Sequence, residues 1–148
     1  MEPWELEARL AIEDTVARYV RYADGGRAAD LAGLFTADGV LASGDEVIRG
    51  RDAIVAYLDG VAADLAGSAT GGGRIRHHVS SLRVDFEGRD AARATCYFLA
   101  VTGVGPDHWG TYRDRLVRVD DGWCFAERVA TVEGRAAGSW AEDRLDGT

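Results

Sequence analysis

The sequence predicts an α+β fold in which helices pack on one face of a curved antiparallel sheet. Two observations carry this expectation. Apolar residues recur with helical spacing up to about residue 65, and from Arg74 onward the period changes to two. The turns of the second region, Glu87-Gly88, Gly105-Pro106 and Asp120-Asp121-Gly122, are short, as an antiparallel meander requires.

The first helix is expected over Trp4 to Asp24. At 100° per residue, Leu6, Leu10, Ile12, Val16, Ala17, Tyr19, Val20 and Ala23 fall on one arc. Arg9 and Glu13 interrupt that arc, four apart and able to pair. Asp24 is the third polar residue on it, and Gly25-Gly26 stops the helix. A short second helix is expected to carry Leu31, Leu34 and Phe35. A hairpin follows, with Val40-Leu41-Ala42 and Val47-Ile48 joined through Ser43-Gly44-Asp45. The third helix is expected over Asp52 to Leu65, with Ile54, Leu58, Val61 and Leu65 on one stripe. Ala66 to Gly73 reads as a mobile loop. Four long strands then follow, Arg74–Phe86, Ala91–Val104, His108–Val119 and Trp123–Val132. The tail after Gly134 reads as loose apart from Trp140. The chain is expected to be one domain over 1–148, with its core at about 6–134 and a tail at 135–148.

Composition excludes several chemistries. All 17 basic residues are Arg, and there is no Lys, Asn or Gln. Schiff-base lysine chemistry, a P-loop lysine and N-glycosylation therefore have no residue to act through. A net charge of −8 with no basic block opposes nucleic-acid or anionic-membrane binding. No apolar run approaches the roughly 20 residues of a membrane span. The opening MEPWELEARL lacks the basic-then-apolar order of a signal peptide, so a cytoplasmic location is expected. Cys96 and Cys124 make no disulfide framework and read as small hydrophobes. Gly71-Gly72-Gly73 does not match a nucleotide loop, because no strand-to-helix unit follows it.

The first long strand holds the most informative pattern. Ile75, His77 and Val79 share one face, and Arg74, Arg76 and His78 share the other. Apolar-in alternation puts His77 inside and His78 outside. Leu82, Val84 and Phe86 have the opposite parity, so a bulge or sharp coil near Ser80-Ser81 is expected. An inward His is either a satisfied core residue or a general acid/base. Asp24 is either its orienting partner or a helix-end turn residue. Adjacent His77 and His78 cannot chelate one ion from opposite faces, and no metal is expected. Arg128 shares a face with Ala126 and Ala130, and is either a pairing or solvent-facing arginine or a fixed cation over a substrate oxygen. Tyr19 is either packing or a hydroxyl reaching a cavity. Tyr112 and Asp114 share a face of the third long strand and either line a cavity or pair with outer arginines.

These residues occur in an order that resembles a known family. The pieces are Tyr19-x4-Asp24, Leu31-x2-Leu34-Phe35-x2-Asp38-Gly39 and Gly50-Arg51-Asp52-Ala53-Ile54. They continue with Arg76-His77-His78-Val79-Ser80-Ser81, Gly110-x-Tyr112-x-Asp114-Arg115-Leu116 and Trp123-x-Phe125-x2-Arg128. From about Leu6 to Gly134 the chain resembles the SnoaL-like group of the nuclear-transport-factor-2-like superfamily. The resemblance implies a cone, a cystatin-like curved sheet wrapped around three helices with a central pocket. It implies no cofactor and a homo-oligomer, trimer or dimer, with a small hydrophobic molecule as partner.

Asp24 and His77 stand where scytalone dehydratase, bile-acid dehydratase and hexachlorocyclohexane dehydrochlorinase carry an Asp–His pair. The implied roles are His77 as base, Asp24 as its orienting partner, and Tyr19 and Arg128 as pocket donors. Tyr57, Phe98, Trp109, Tyr112 and His78 are the candidate pocket residues. Three departures are visible: Ser81 where many members have Asn, Tyr19 where the dehydrochlorinase has Lys, and Ala23 where scytalone dehydratase has Tyr. The expected function is a lyase (dehydratase) or isomerase/cyclase acting on a small apolar oxygenated substrate, in secondary or steroid-like metabolism. A non-catalytic binder of the same fold is the alternative. A hydrogen bond between Asp24 and His77 inside one pocket separates the two.

Overall fold

The computed structural model describes residues 1–69 and 73–146. Helix α1 spans Pro3–Asp24, α2 Ala28–Ala32, α3 Arg51–Gly67 and α4 Trp140–Asp146. The strands are β1 Phe35–Ser43, β2 Glu46–Arg49, β3 Arg76–Phe86, β4 Ala91–Thr102, β5 Gly105–Val119 and β6 Gly122–Arg135. They form one curved, open sheet in the order β2-β1-β6-β5-β4-β3. Every pairing is antiparallel except β1 with β6, which is parallel. No described helix is long and apolar enough to cross a membrane.

Local sequence explains where α1 begins and which face it buries. Pro3 takes the first helical position, and the Glu2 backbone N–H donates to the Glu5 carboxylate at 2.7 Å. Ala8, Ile12, Val16, Tyr19 and Val20 are buried against the sheet, each large apolar member contributing about 1.5–3 kcal/mol. Leu6 and Leu10, expected on this face, are 53% and 60% exposed. The reason is Arg9: its guanidinium donates to the Val84 carbonyl oxygen at 2.8 Å and lies over Phe86, so the helix rolls that side inward. Arg9 thus reaches β3 rather than the expected Glu13.

The second helix stops at Ala32, short of Leu34 and Phe35. The Phe125 backbone N–H donates to the Leu34 carbonyl oxygen at 2.8 Å, and Phe35 pairs with Phe125, so β6 ties down the turn at Leu34 and draws Phe35 into the sheet. Helix α3 runs two residues past the expected Leu65. The loop expected at 66–73 therefore shrinks, and its residues 70–72 lie outside the described residues.

The tail is helical at α4, against the expectation of a loose segment. Ser139 caps it, accepting the Glu142 N–H at 3.1 Å, while the Glu142 carboxylate accepts the Gly138 N–H. Trp140 and Ala141 are buried against Leu65, Val61 and Ile75.

Strand β3 changes face midway, as the parity shift requires. Ser80 pairs with Tyr97 and Arg83 with Thr95, so Ser81 and Leu82 oppose Cys96 alone. Ser81 takes φ 56°, the left-handed conformation of a bulge. The first half of the strand thereby turns Ile75, His77 and Val79 inward. The second half presents Leu82, Val84 and Phe86 to α1 and the core around Trp123.

Gly110 holds β5 tight against β6. A Cβ on Gly110 would lie 1.8 Å from the Thr131 carbonyl oxygen, a backbone atom that cannot step aside. Gly110→Ala is therefore expected to lower the unfolding free energy by about 3 kcal/mol, read as a fall in the urea midpoint at constant slope.

Candidate active site

A cavity of about 420 Å³ lies between the helices and the inner face of the sheet, and extends to α4. Its wall includes Tyr19 and Asp24 from α1, Tyr57 from α3, His77 from β3, Phe98 from β4 and Tyr112 from β5.

Asp24 and His77 meet here. The His77 ring Nδ1 lies 2.6 Å from Asp24 Oδ1. The His77 backbone N–H donates to the same carboxylate, at 3.1 Å to Oδ2. One carboxylate thus holds the histidine by ring and by main chain, fixing both the position of the strand and the tilt of the imidazole. The two side chains are only 15% and 10% exposed. A carboxylate oxygen accepts, so the contact selects the tautomer in which the neutral ring carries its proton on Nδ1 and its lone pair on Nε2. Asp24 is available because it closes α1 on the buried stripe, four residues after Val20.

Tyr19 lies at the cavity wall, 5.9 Å from the Tyr112 ring and edge-on to it. Burial raises its phenol above the ordinary value, with the Arg128 guanidinium pulling the other way. The hydroxyl is therefore a proton donor at neutral pH. Tyr112 stacks on Phe98 at 4.6 Å, and burial raises its phenol well above the ordinary value. Tyr57, Phe98 and Tyr112 all line the cavity.

Arg128 is placed differently from the expected donor. It is fully buried, does not line the cavity, and binds Asp114 through two hydrogen bonds of 2.7 and 2.8 Å. Its guanidinium also lies over the rings of Tyr19, Tyr112 and Phe125, at 4.2, 4.1 and 4.4 Å. Register explains this: Asp114 and Arg128 are directly paired across β5 and β6. Burial works against its charge, but the attraction of Asp114 outweighs that and holds it protonated. Arg128 supports the tyrosines from beneath, outside the cavity lining.

Two expected pocket residues also lie elsewhere. His78 is exposed, because alternation along β3 turns it to the outer face. Trp109 is 40% exposed on the outer face, its indole lying where a side chain on Gly134 would be.

The residues that sequence reasoning missed are Asp107, His108 and Trp140. His108 and Trp140 line the cavity, and the His108 ring Nδ1 lies 2.8 Å from Asp107 Oδ1. A signal was present: His108 shares period-two spacing with Tyr112 and Asp114. Cys96 is buried, and desolvation pushes its thiol up to about 11, so it stays protonated and unreactive. Among the described residues, no three His, Cys, Asp or Glu side chains are grouped to hold a metal ion.

A family model described as SnoaL-like domain matches residues 4–129. An NTF2-like protein with a cystatin-like fold from Novosphingobium aromaticivorans is 30% identical. It covers 92% of this chain and 88% of its own, with a TM-score of 0.77. A candidate scytalone dehydratase from the same organism is 25% identical, over 92% of this chain and 91% of its own, also at a TM-score of 0.77. A single-site variant of Rv3472 from Mycobacterium tuberculosis, a protein of unknown function, is 29% identical. It covers 90% of this chain and 77% of its own, at a TM-score of 0.75. No curated protein matches the sequence.

Proposed function

The chain belongs to the SnoaL-like domain family, and on that footing we propose that it is a lyase of the dehydratase type, or an isomerase or cyclase. The family includes dehydratases and isomerases alongside members of unknown function, so the reaction rests on the site and not on the fold. The observation that carries the reading is the 2.6 Å contact between Asp24 and His77 inside the cavity. A purely apolar binder has no use for a histidine held by ring and main chain to one buried carboxylate.

In this mechanism His77 Nε2 removes a proton from a carbon next to an oxygen function of the substrate. The C–H electron pair becomes a carbon–carbon double bond or an enolate. Asp24 favours the imidazolium that forms. In a dehydration the C–O bond breaks, and the imidazolium returns its proton to the departing hydroxyl as water. In an isomerisation the same proton returns to a different carbon. Tyr19 donates to the oxygen on which charge develops. The apolar wall of Phe98, Tyr57 and Tyr112 selects a small, mostly apolar substrate. On the outer face, exposed Tyr97 and Trp109 are suited to burial against a second copy, consistent with a dimer or trimer.

Hydrogen exchange tests the proton step without assuming the final product. Incubated in D₂O with a panel of cyclic hydroxyketones, the protein is expected to wash deuterium into the acidic C–H position faster than buffer does, followed by mass spectrometry. If every ligand shown to bind leaves the cavity with its hydrogens unexchanged and its skeleton intact, the protein is a binder.

A further inference from the structure

The proton mechanism leaves one buried pair of the same cavity unused. Asp107 is fully buried at the start of β5, where β4 and β5 slip in register between Ala100 and Val101. Adjacent residues of a regular strand face opposite sides of the sheet. This irregularity lets Asp107 reach the ring of its own neighbour, His108. The carboxylate accepts from Thr102 Oγ1 at 2.8 Å, from His108 Nδ1 at 2.8 Å, and from the Trp140 and Ala141 backbone N–H groups at 3.0 and 3.1 Å. Burial alone would raise its carboxyl, but these four donors outweigh burial and hold it below the ordinary range.

An acceptor-only carboxylate assigns the ring proton of His108 to Nδ1 and leaves Nε2 with a lone pair. Burial lowers the imidazole below its ordinary value; Asp107 opposes this and His77 adds to it. The ring is neutral and can accept at neutral pH. It lies between Phe98 and Trp140, each 6.0 Å away by ring centre. A ligand packed against those two aromatics excludes water from Nε2, which then needs a donor from the ligand itself.

Register sets the distance to the other histidine. His77 pairs with Ala100 across β3 and β4, and Ala100 pairs with His108 across β4 and β5. The two histidines therefore share one row and one face, two strands apart, or about 10 Å between Cα atoms. Both histidines line the cavity, and the residue between them, Ala100, carries the smallest side chain available.

We infer that His108 Nε2 is a second recognition point in the cavity, an acceptor for a hydroxyl or phenol O–H. It implies a substrate with two oxygen functions on opposite sides of a ring skeleton. One lies beside the proton taken by His77, and the other donates to His108. The inference rests on reading the cavity as a small-molecule site and names the class of molecule it takes. His108 sets specificity, and Asp107 positions it.

The test uses 2-naphthol and 2-methoxynaphthalene, which differ in the O–H, with binding followed by fluorescence. The wild type is expected to hold 2-naphthol about tenfold more tightly. His108→Leu is expected to erase the preference, His108→Gln to keep part of it through its amide oxygen, and His77→Gln to leave it intact. With ¹⁵N-labelled histidine, the His108 Nε2 resonance of the wild type is expected to move on titration with 2-naphthol. That readout stands even where a variant fails to fold. The inference is overturned by a preference that survives His108→Leu, by one lost in His77→Gln, by a shift at His77 alone, or by no saturable 2-naphthol binding. Deuterium exchange without naphthol preference would sink the acceptor site and leave the proton mechanism standing; preference without exchange would do the reverse.

Discussion

His77→Gln is expected to lower kcat on a turned-over substrate by about 10²–10⁴-fold, the range that a positioned general base supplies. Glutamine matches the size of the ring and keeps a hydrogen bond to Asp24, so circular dichroism and the melting temperature are expected to stay near those of the wild type. KM is expected to change little, because Nε2 acts on a proton in transit more than on the resting substrate. Asp24→Asn is expected to cost less in kcat. It keeps an acceptor for the ring but no longer offsets the positive charge of the imidazolium. Wild-type turnover in His77→Gln, with folding confirmed, would remove the imidazole from the mechanism.

The second large effect falls on stability. Arg128→Met leaves the Asp114 carboxylate buried with no counterion. Breaking such a pair from one side costs about 3–5 kcal/mol, or about 10–20 °C in melting temperature for a chain of this size. Replacing both partners, Arg128→Met with Asp114→Leu, is expected to recover most of that loss, because an apolar pair has no stranded charge. Calorimetry of the single and double variants reads this directly. In the folded double variant, kcat is expected to fall by less than about tenfold, since Arg128 touches Tyr19 and Tyr112 but not the cavity. A deep loss of activity in a stable double variant would return Arg128 to a direct role.

Which parts of this site were legible in the sequence follows from the range of the signals. Asp24 and His77 were readable because each depends on the periodicity of a single element, the buried stripe of α1 and the alternation of β3. The bulge at Ser81 was readable for the same reason, as a change of parity within one strand. The role of Arg128 was not, because ion pair and ligand contact differ only by the register of β5 on β6, which puts Asp114 opposite it. Trp109 was misplaced on similar grounds: the space for its indole is made by Gly134, on the neighbouring strand. The Asp107–His108 pair was hidden by the rule that adjacent strand residues face apart, which a register irregularity suspends. The tail carried a readable cue in Ser139-x-x-Glu142, the pattern of a capped helix start. Its docking on Asp107 had no local signature at all.

The turn of β3 at Ser81 has a consequence for how this protein can change. Because the strand reverses its inward side there, its two halves answer to separate constraints. Substitutions at Ile75, which lines the chamber, reshape it without loosening the grip of Val84 and Phe86 on α1. Selection for a new ligand can thus work upstream of the kink while the scaffold is kept downstream. A single left-handed serine partitions one strand into a variable segment and a constant one.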